Sequence, residues 1–176
     1  YAGRRTAFLI SYSNRCDIET HRQTTPRDTV GHWTKYSRGL KAMMAPVDVL
    51  TEDRDFSQYP FVVAPAYQLV DRELIDLFTK YAQNGGRLIL SCRTGQKDRR
   101  GQLPETLWAE SIYDLIGAKI PFYDLLPPPV NGHVRSGSKQ YAWGSWADVL
   151  EPGSGTEVLA SYADQFYAGK AAAVTH

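Results

Sequence analysis

The chain has two cysteines in 176 residues, Cys16 and Cys92, with no Cys-x-x-Cys pair. That count excludes a disulfide scaffold and a four-cysteine zinc ribbon, and two isolated thiols fit a reducing compartment, the cytoplasm being the expected one. Charge of one sign is also lacking. Lys and Arg number 20 against 19 Asp and Glu, for a net charge of +1, which removes the electrostatic case for nucleic acid or an anionic membrane as partner. No apolar run approaches the roughly 20 residues that cross a bilayer. The stretch from Tyr1 to Arg5 leads straight into an apolar strand segment, so no signal peptide is expected. Walker and Gly-x-Gly-x-x-Gly motifs do not occur, and Ser11 and Ser13 lack a Gly-x-Ser-x-Gly setting. No phosphate cradle and no cofactor is therefore expected. Cys16-x4-His21, with His32 farther on, is too sparse to predict a metal site. Internal repeats and low-complexity tracts are absent as well.

What is present is globular. Apolar residues make up 43% and charged residues 22% of the chain, at a length suited to one domain spanning 1–176. Aromatic residues reach 12%, with 4 Trp and 11 Tyr, which favours a partner surface beside the core. Thr6 to Tyr12 reads as a buried strand breaking into polar Ser13-Asn14-Arg15, and Cys16 to Thr25, without periodicity, reads as a loop. Thr25 as N-cap, Pro26 at the first helical position and Asp28 closing the capping box open a helix. Its apolar face is Trp33, Tyr36, Leu40 and Met43. Pro46 to Leu50 is a short strand. Glu52, Asp53 and Asp55 belong to a solvated acidic loop, and Tyr59 to Pro65 is a third strand. Asp71 caps a helix whose face is Leu74, Leu77, Phe78 and Tyr81, ended by Asn84-Gly85-Gly86. Short apolar strands alternating with helices predict an α/β sheet with right-handed crossovers.

The next stretch, Gly85 to Asp98, gathers most of the candidate chemistry. Leu88, Ile89 and Leu90 form an unbroken apolar run, expected of a strand buried on both faces. It ends at Ser91, and a polar loop with Cys92, Arg93, Thr94, Lys97 and Asp98 begins where α/β sheets gather ligands and catalysts. Cys92 sits where an amidotransferase carries its nucleophile. Such a cysteine needs a base and an orienting acid. His133 is followed by Val134 and Arg135, and His176 is terminal, so neither belongs to a His-x-Glu pair. Two readings stand: an amidotransferase-like cysteine enzyme using Cys92, or an inert thiol. Arg93, Lys97 and Asp98 are candidates for a contact with another subunit or an anion, and Thr94 for the subunit contact, against a solvated polar loop held by internal ion pairs. Arg99 and Arg100 are expected to be exposed.

The second half is less regular. Pro104 opens a helical pattern through Leu107, Trp108, Ser111, Ile112, Leu115 and Ile116, stopped by Gly117. Lys119 to Leu125 is strand-like. A proline-rich connector, 126–132, then interrupts the pattern, since three consecutive prolines exclude helix and central strand. Short β segments follow at Gln140–Trp143, Ala147–Leu150 and Thr156–Tyr162. The last joins Ala171–Val174 in an antiparallel hairpin turning near Ala168-Gly169. Tyr141, Trp143 and Trp146 alternate with small residues. They are expected in the core, with Trp143 and Trp146 also candidate interface anchors.

Several of these stretches, in order, resemble one family. They are Ala7–Ser13, Pro46–Val49, Phe61–Ala66, Gly85–Asp98 with its Arg-Thr-Gly-x-Lys-Asp element, Leu125–Pro128, and Val158–Ala172 with its Tyr-Ala-Asp-x-Phe-Tyr-x-Gly element. The chain is similar over nearly its whole length to the middle, trimerisation domain of the glycoside hydrolase family 42 β-galactosidases. At the position of Cys92 that family more often has proline. The resemblance implies a flavodoxin-like, three-layer α/β fold of the class I glutamine amidotransferase type, without catalytic residues or cofactor. It implies self-association as a homotrimer beside the parent's catalytic (β/α)8 barrel, where terminal β-D-galactosides are hydrolysed. No barrel fits in this length. The resemblance also implies a further glycine-containing strand past Ala171–His176, so a piece lacking its last strand is expected.

Overall fold

A computed structural model describes residues 5–22 and 29–176. Two compact units emerge, the first running to Leu103 and the second from Pro104 to His176.

In the first unit the strands are β1 (Thr6–Leu9), β2 (Val47–Leu50), β3 (Phe61–Ala64) and β4 (Arg87–Leu90), and the helices are α1 (Tyr12–Thr20), α2 (Thr29–Ala42) and α3 (Arg72–Gln83). The sheet is parallel in the order β2-β1-β3-β4, with Ala7 opposite both Asp48 and Val62. The order reverses direction between β1 and β3. Right-handed crossovers therefore send the β1–β2 and β3–β4 connections to opposite faces. All four residues of β1 are buried, as a central strand requires. Phe8, Leu40 and Val63 form one core cluster, closed over by Trp33, Tyr36 and Val47. A second, aromatic cluster joins Phe56, Tyr67, Phe78 and Tyr81 at ring-centroid separations of 5.6 to 6.0 Å.

Three expectations are corrected here. The stretch from Cys16, expected as loop, is the end of a helix that starts at Tyr12. Ser11 caps it by accepting from Asn14 N (3.4 Å). Its buried residues are Asn14, Asp17 and Ile18, so the inward stripe is mostly polar and leaves no apolar period to detect. Second, β4 is not buried on both faces. It lies at the sheet's edge, its residues alternate between exposed and half-buried, and Ile89 is 43% exposed. An apolar run marks a strand but not its rank in the sheet. Third, Met43 follows the last helical residue, Ala42, and is exposed, as is Leu77 on the flank of the α3 stripe. The expected cap at Thr25, Pro26 and Asp28 lies outside the described residues. At α3 the expectations hold: Asp71 accepts from Leu74 N at 2.8 Å, and Gly85 ends the helix region at φ +88°.

In the second unit the helical pattern from Pro104 shrinks to a 3-10 turn (Glu110–Ile112) and α4 (Tyr113–Ile116), with Leu107 exposed. Gly117, left-handed at φ +64°, ends it as expected. Six antiparallel strands follow: β5 (Ala118–Leu126), β6 (Gly132–Ser136), β7 (Lys139–Trp143), β8 (Ser145–Pro152), β9 (Glu157–Tyr162) and β10 (Ala171–Thr175), in the order β5-β8-β10-β9-β6-β7. Strand β6, with no apolar alternation, is not evident from sequence. The β9–β10 hairpin forms as expected, turning through Gly169 at φ +86°. The core of this unit is Ala147, Val149, Tyr162 and Tyr167, flanked by Phe122, Val134 and Trp143. The chain is thus α/β, with one parallel and one antiparallel sheet.

Candidate functional site

Ligands of a doubly wound sheet bind beyond the strands' carboxyl ends, at the point where strand order reverses. Here that point lies between β1 and β3, and the chain's own side chains occupy it. Asn14 accepts from Leu69 N (2.7 Å) and donates to Leu69 O (3.4 Å). Asp17 receives Lys97 Nζ on both carboxylate oxygens at 2.9 Å and also bonds Gln68 Nε2 and His21 Nδ1. Asp17 and Lys97 are each 8% exposed. The loop after β4 reaches this position by a parallel bridge between Leu69 and Lys97, with Lys97 N donating to Gln68 O (3.0 Å).

A second cluster ties the loops after β1, β2 and β3 to the one after β4. Arg99 forks, Nε to Asp71 Oδ2 (2.7 Å) and Nη1 to Glu52 Oε1 (2.9 Å). Glu52 also accepts from Ser11 Oγ (3.2 Å) and Tyr67 OH (3.0 Å). Burial, and then the Glu52 charge, hold the Tyr67 phenol well above its usual range. Burial alone would raise the Asp71 carboxyl. The N–H of Leu74 and the Arg99 guanidinium outweigh it and hold that carboxyl below its ordinary value. Glu52 and Arg99 are thus corrections to the solvated loop and the exposed arginine expected of them. Asp53 and Asp55 do stay exposed, accepting from Thr51 and Ser57.

The candidate contact residues sort by exposure. Arg93 is fully buried at φ +69°, its Nε donating to Gln96 Oε1 (3.2 Å). Thr94 is buried and donates to Ser91 O (2.8 Å). These two and Lys97 shape the loop from inside, Lys97 through its ion pair with Asp17, so the loop is buried at these positions rather than solvated. Asp98 is exposed, and its Oδ1 accepts from Arg100 N and Gln102 N. Trp146 is buried, stacked on Tyr123 (4.5 Å, 10°), and donates to Asp148 Oδ1 (2.7 Å). Trp143 is half-buried against Gly132, where a Cβ would come within 2.5 Å of its indole.

Cys92 gains no support as a nucleophile. The residues after β4 form turns and a bridge, and no helix begins there to present backbone N–H groups to a thiolate. The left-handed residues of this turn are Arg93 and Gly95, and Cys92 is not one of them. The His32 ring lies 3.2 Å from Ser91 Oγ. Cys16 and Cys92 are both half-buried thiols outside any disulfide. Among the described residues no group of three or more His, Cys, Asp or Glu could hold a metal ion.

A third polar constellation, in the second unit, escaped sequence reading. Asp164 accepts from His133 N (3.0 Å) and pairs with His133 Nδ1 (2.7 Å), and these bonds hold its carboxyl below the usual value. Tyr167 OH donates to Asp124 Oδ2 (2.7 Å), and burial, reinforced by that aspartate, pushes the phenol up. The signal was the Tyr-Ala-Asp-x-Phe-Tyr-x-Gly element, but the partners come from strands 31 and 43 residues away.

Comparison with known proteins gives one consistent picture. Residues 4–176 match the family model described as the β-galactosidase trimerisation domain. The β-galactosidase BgaH of Haloferax lucentense is 33% identical over 125 residues, which are 71% of this chain and 19% of that protein. The solved polyextremophilic β-galactosidase of Halorubrum lacusprofundi superposes with a TM-score of 0.88 at 26% identity, covering 94% of this chain and 25% of that one. The Bacillus circulans β-galactosidase gives 0.89 at 19% identity over 97% of this chain and 26% of that one, a likeness of fold alone. The chain therefore spans about a fifth of the length of the curated relatives it matches.

Proposed function

Because the chain belongs to the β-galactosidase trimerisation domain family, we propose that it is the non-catalytic assembly part of a longer β-galactosidase. In this reading it associates with two copies of itself and so fixes one subunit's catalytic barrel against the next. The parent hydrolyses terminal β-D-galactosides in the cytoplasm. The observation that carries the reading is the filled crevice at the strand-order reversal. Where a doubly wound enzyme would hold substrate, Asn14, Asp17, Gln68 and Lys97 bond one another and the backbone. A domain whose ligand site is closed by its own buried ion pair is suited to scaffolding.

The β2-β1-β3-β4 order supports a flavodoxin-like first unit of the amidotransferase type, without that fold's chemistry. Two cysteines outside any disulfide fit the cytoplasm, and among the described residues no helix is long and apolar enough to cross a membrane. Of the candidate contact residues, Asp98 and Trp143 retain surface for a subunit contact. Arg93, Thr94, Lys97 and Trp146 support it from within.

Light scattering on the purified chain tests the reading. The expected result is three times the single-chain mass of 19.8 kDa, without hydrolysis of a chromogenic β-galactoside. A strict monomer at high concentration, or galactosidase activity in the chain alone, overturns it.

A further inference from the structure

The Tyr-Ala-Asp-x-Phe-Tyr-x-Gly element is pinned at nearly every position but one. Tyr162 is buried and donates to Asp148 O (2.8 Å). Asp164 is clamped by His133, and Tyr167, 2% exposed, by Asp124. Gly169 N donates to Tyr162 O (2.8 Å), and Tyr162 N to Lys170 O (2.9 Å), closing the turn. Gln165 is held at φ +66°. Between these fixed points Phe166 is 83% exposed. Its ring is still oriented: it stacks on Phe122 (5.6 Å, 17°) and meets Tyr167 edge-on (4.8 Å, 79°). The two ring contacts orient it, and most of its surface is presented to solvent.

A large apolar ring this exposed carries a hydration cost that its own fold does not recover. Its contacts with Phe122 and Tyr167 favour one orientation, which lowers the side-chain entropy lost on docking. A preoriented aromatic on a braced turn has the anatomy of an interface hot spot. The exposed Met43 and Met44 have no such bracing: they follow α2 on flexible side chains. The family to which the chain belongs is a trimerisation domain. A closed ring of three cannot use one self-complementary patch, so each copy needs a projecting surface and a different receiving one.

We propose that Phe166 is the projecting anchor of the contact between copies of this chain, its open face seated on a neighbouring copy. This deepens the trimer reading and rests on it. The test compares the natural protein with Phe166→Ala and Phe166→Asp by sedimentation over a dilution series. A crosslinking form carrying photoreactive p-benzoylphenylalanine at position 166 is mapped by mass spectrometry. The expected result is an unchanged fold in both variants by circular dichroism, since the ring is outside the core, with any fall in melting temperature following the loss of assembly. Dissociation is expected to shift to concentrations about tenfold higher for Phe166→Ala and more for Phe166→Asp. Crosslinks should join two copies within residues 1–176. If the unsubstituted protein is a trimer and both variants dissociate like it, the anchor is refuted and the trimer stands. Crosslinks falling on a segment outside these residues refute the anchor in the same way. If the unsubstituted protein never assembles, both readings fall.

Discussion

Asp17 and Lys97 meet at 2.9 Å, each nearly out of reach of solvent, which makes them the most consequential pair at the residue scale. Removing one partner of a buried pair leaves a bare charge in low dielectric. Lys97→Met is expected to lower unfolding stability by about 3–5 kcal/mol in urea denaturation. The double variant Asp17→Asn with Lys97→Met should recover much of the loss. If the single variant is as stable as the parent, the pair is not what closes the crevice. The same scale sets the pH limits. Asp71 and Asp164 have lowered carboxyl values. Their contribution is therefore complete above the ordinary aspartate value of 3.8 and is lost as pH falls through the lowered ones. Tyr67 and Tyr167 have raised phenols, so their contribution is complete below about 10 and is lost as pH rises beyond it. Melting temperature against pH should show a plateau between these limits. A melting temperature still rising below pH 3 would contradict the assignment. Little of this pairing was legible in advance. Lys97 and Asp98 are adjacent and look alike in sequence, yet one is buried and the other exposed, because Lys97 is aimed by its bridge to Leu69 toward a partner 80 residues away.

Elements were legible where apolar periodicity drives them. Helix α3 shows its stripe, its Asp71 cap and its glycine stop, and each appears where the residues indicated, with Leu77 alone of the stripe left exposed. Helix α1 did not, because a stripe of Asn14 and Asp17 is invisible to a hydrophobic count. The turn between α3 and β4 carries a specific prediction. A Cβ on Gly86 would sit 2.3 Å from the Tyr81 ring, which is 5% exposed and tied by its hydroxyl to Tyr59 O (2.8 Å). The ring has nowhere to retreat, so Gly86→Ala is expected to destabilise by about 1–3 kcal/mol. The neighbouring Gly85, though left-handed, has open space around it. Thermal melting of the two alanine variants side by side separates steric from conformational cost. A neutral Gly86→Ala would mean that Tyr81 is not held as described.

At the scale of the whole molecule, assembly is the expected behaviour, and the mass measured by light scattering is its direct check. The amino-acid sequence alone determined the class and its limits. Balanced charge, two lone cysteines and short apolar segments between turn residues specified an α/β chain without metal or phosphate motifs. Two short elements carried the family resemblance. These are properties of local spacing, and local spacing survives in one dimension. The tertiary structure alone decided that β4 is an edge, that the polar loop turns inward onto Asp17 and Glu52, and that Phe166 is left facing out of its braced hairpin. Each depends on which distant segment packs alongside, and on whether a side chain finds a buried partner or water. Neither spacing nor composition records that choice.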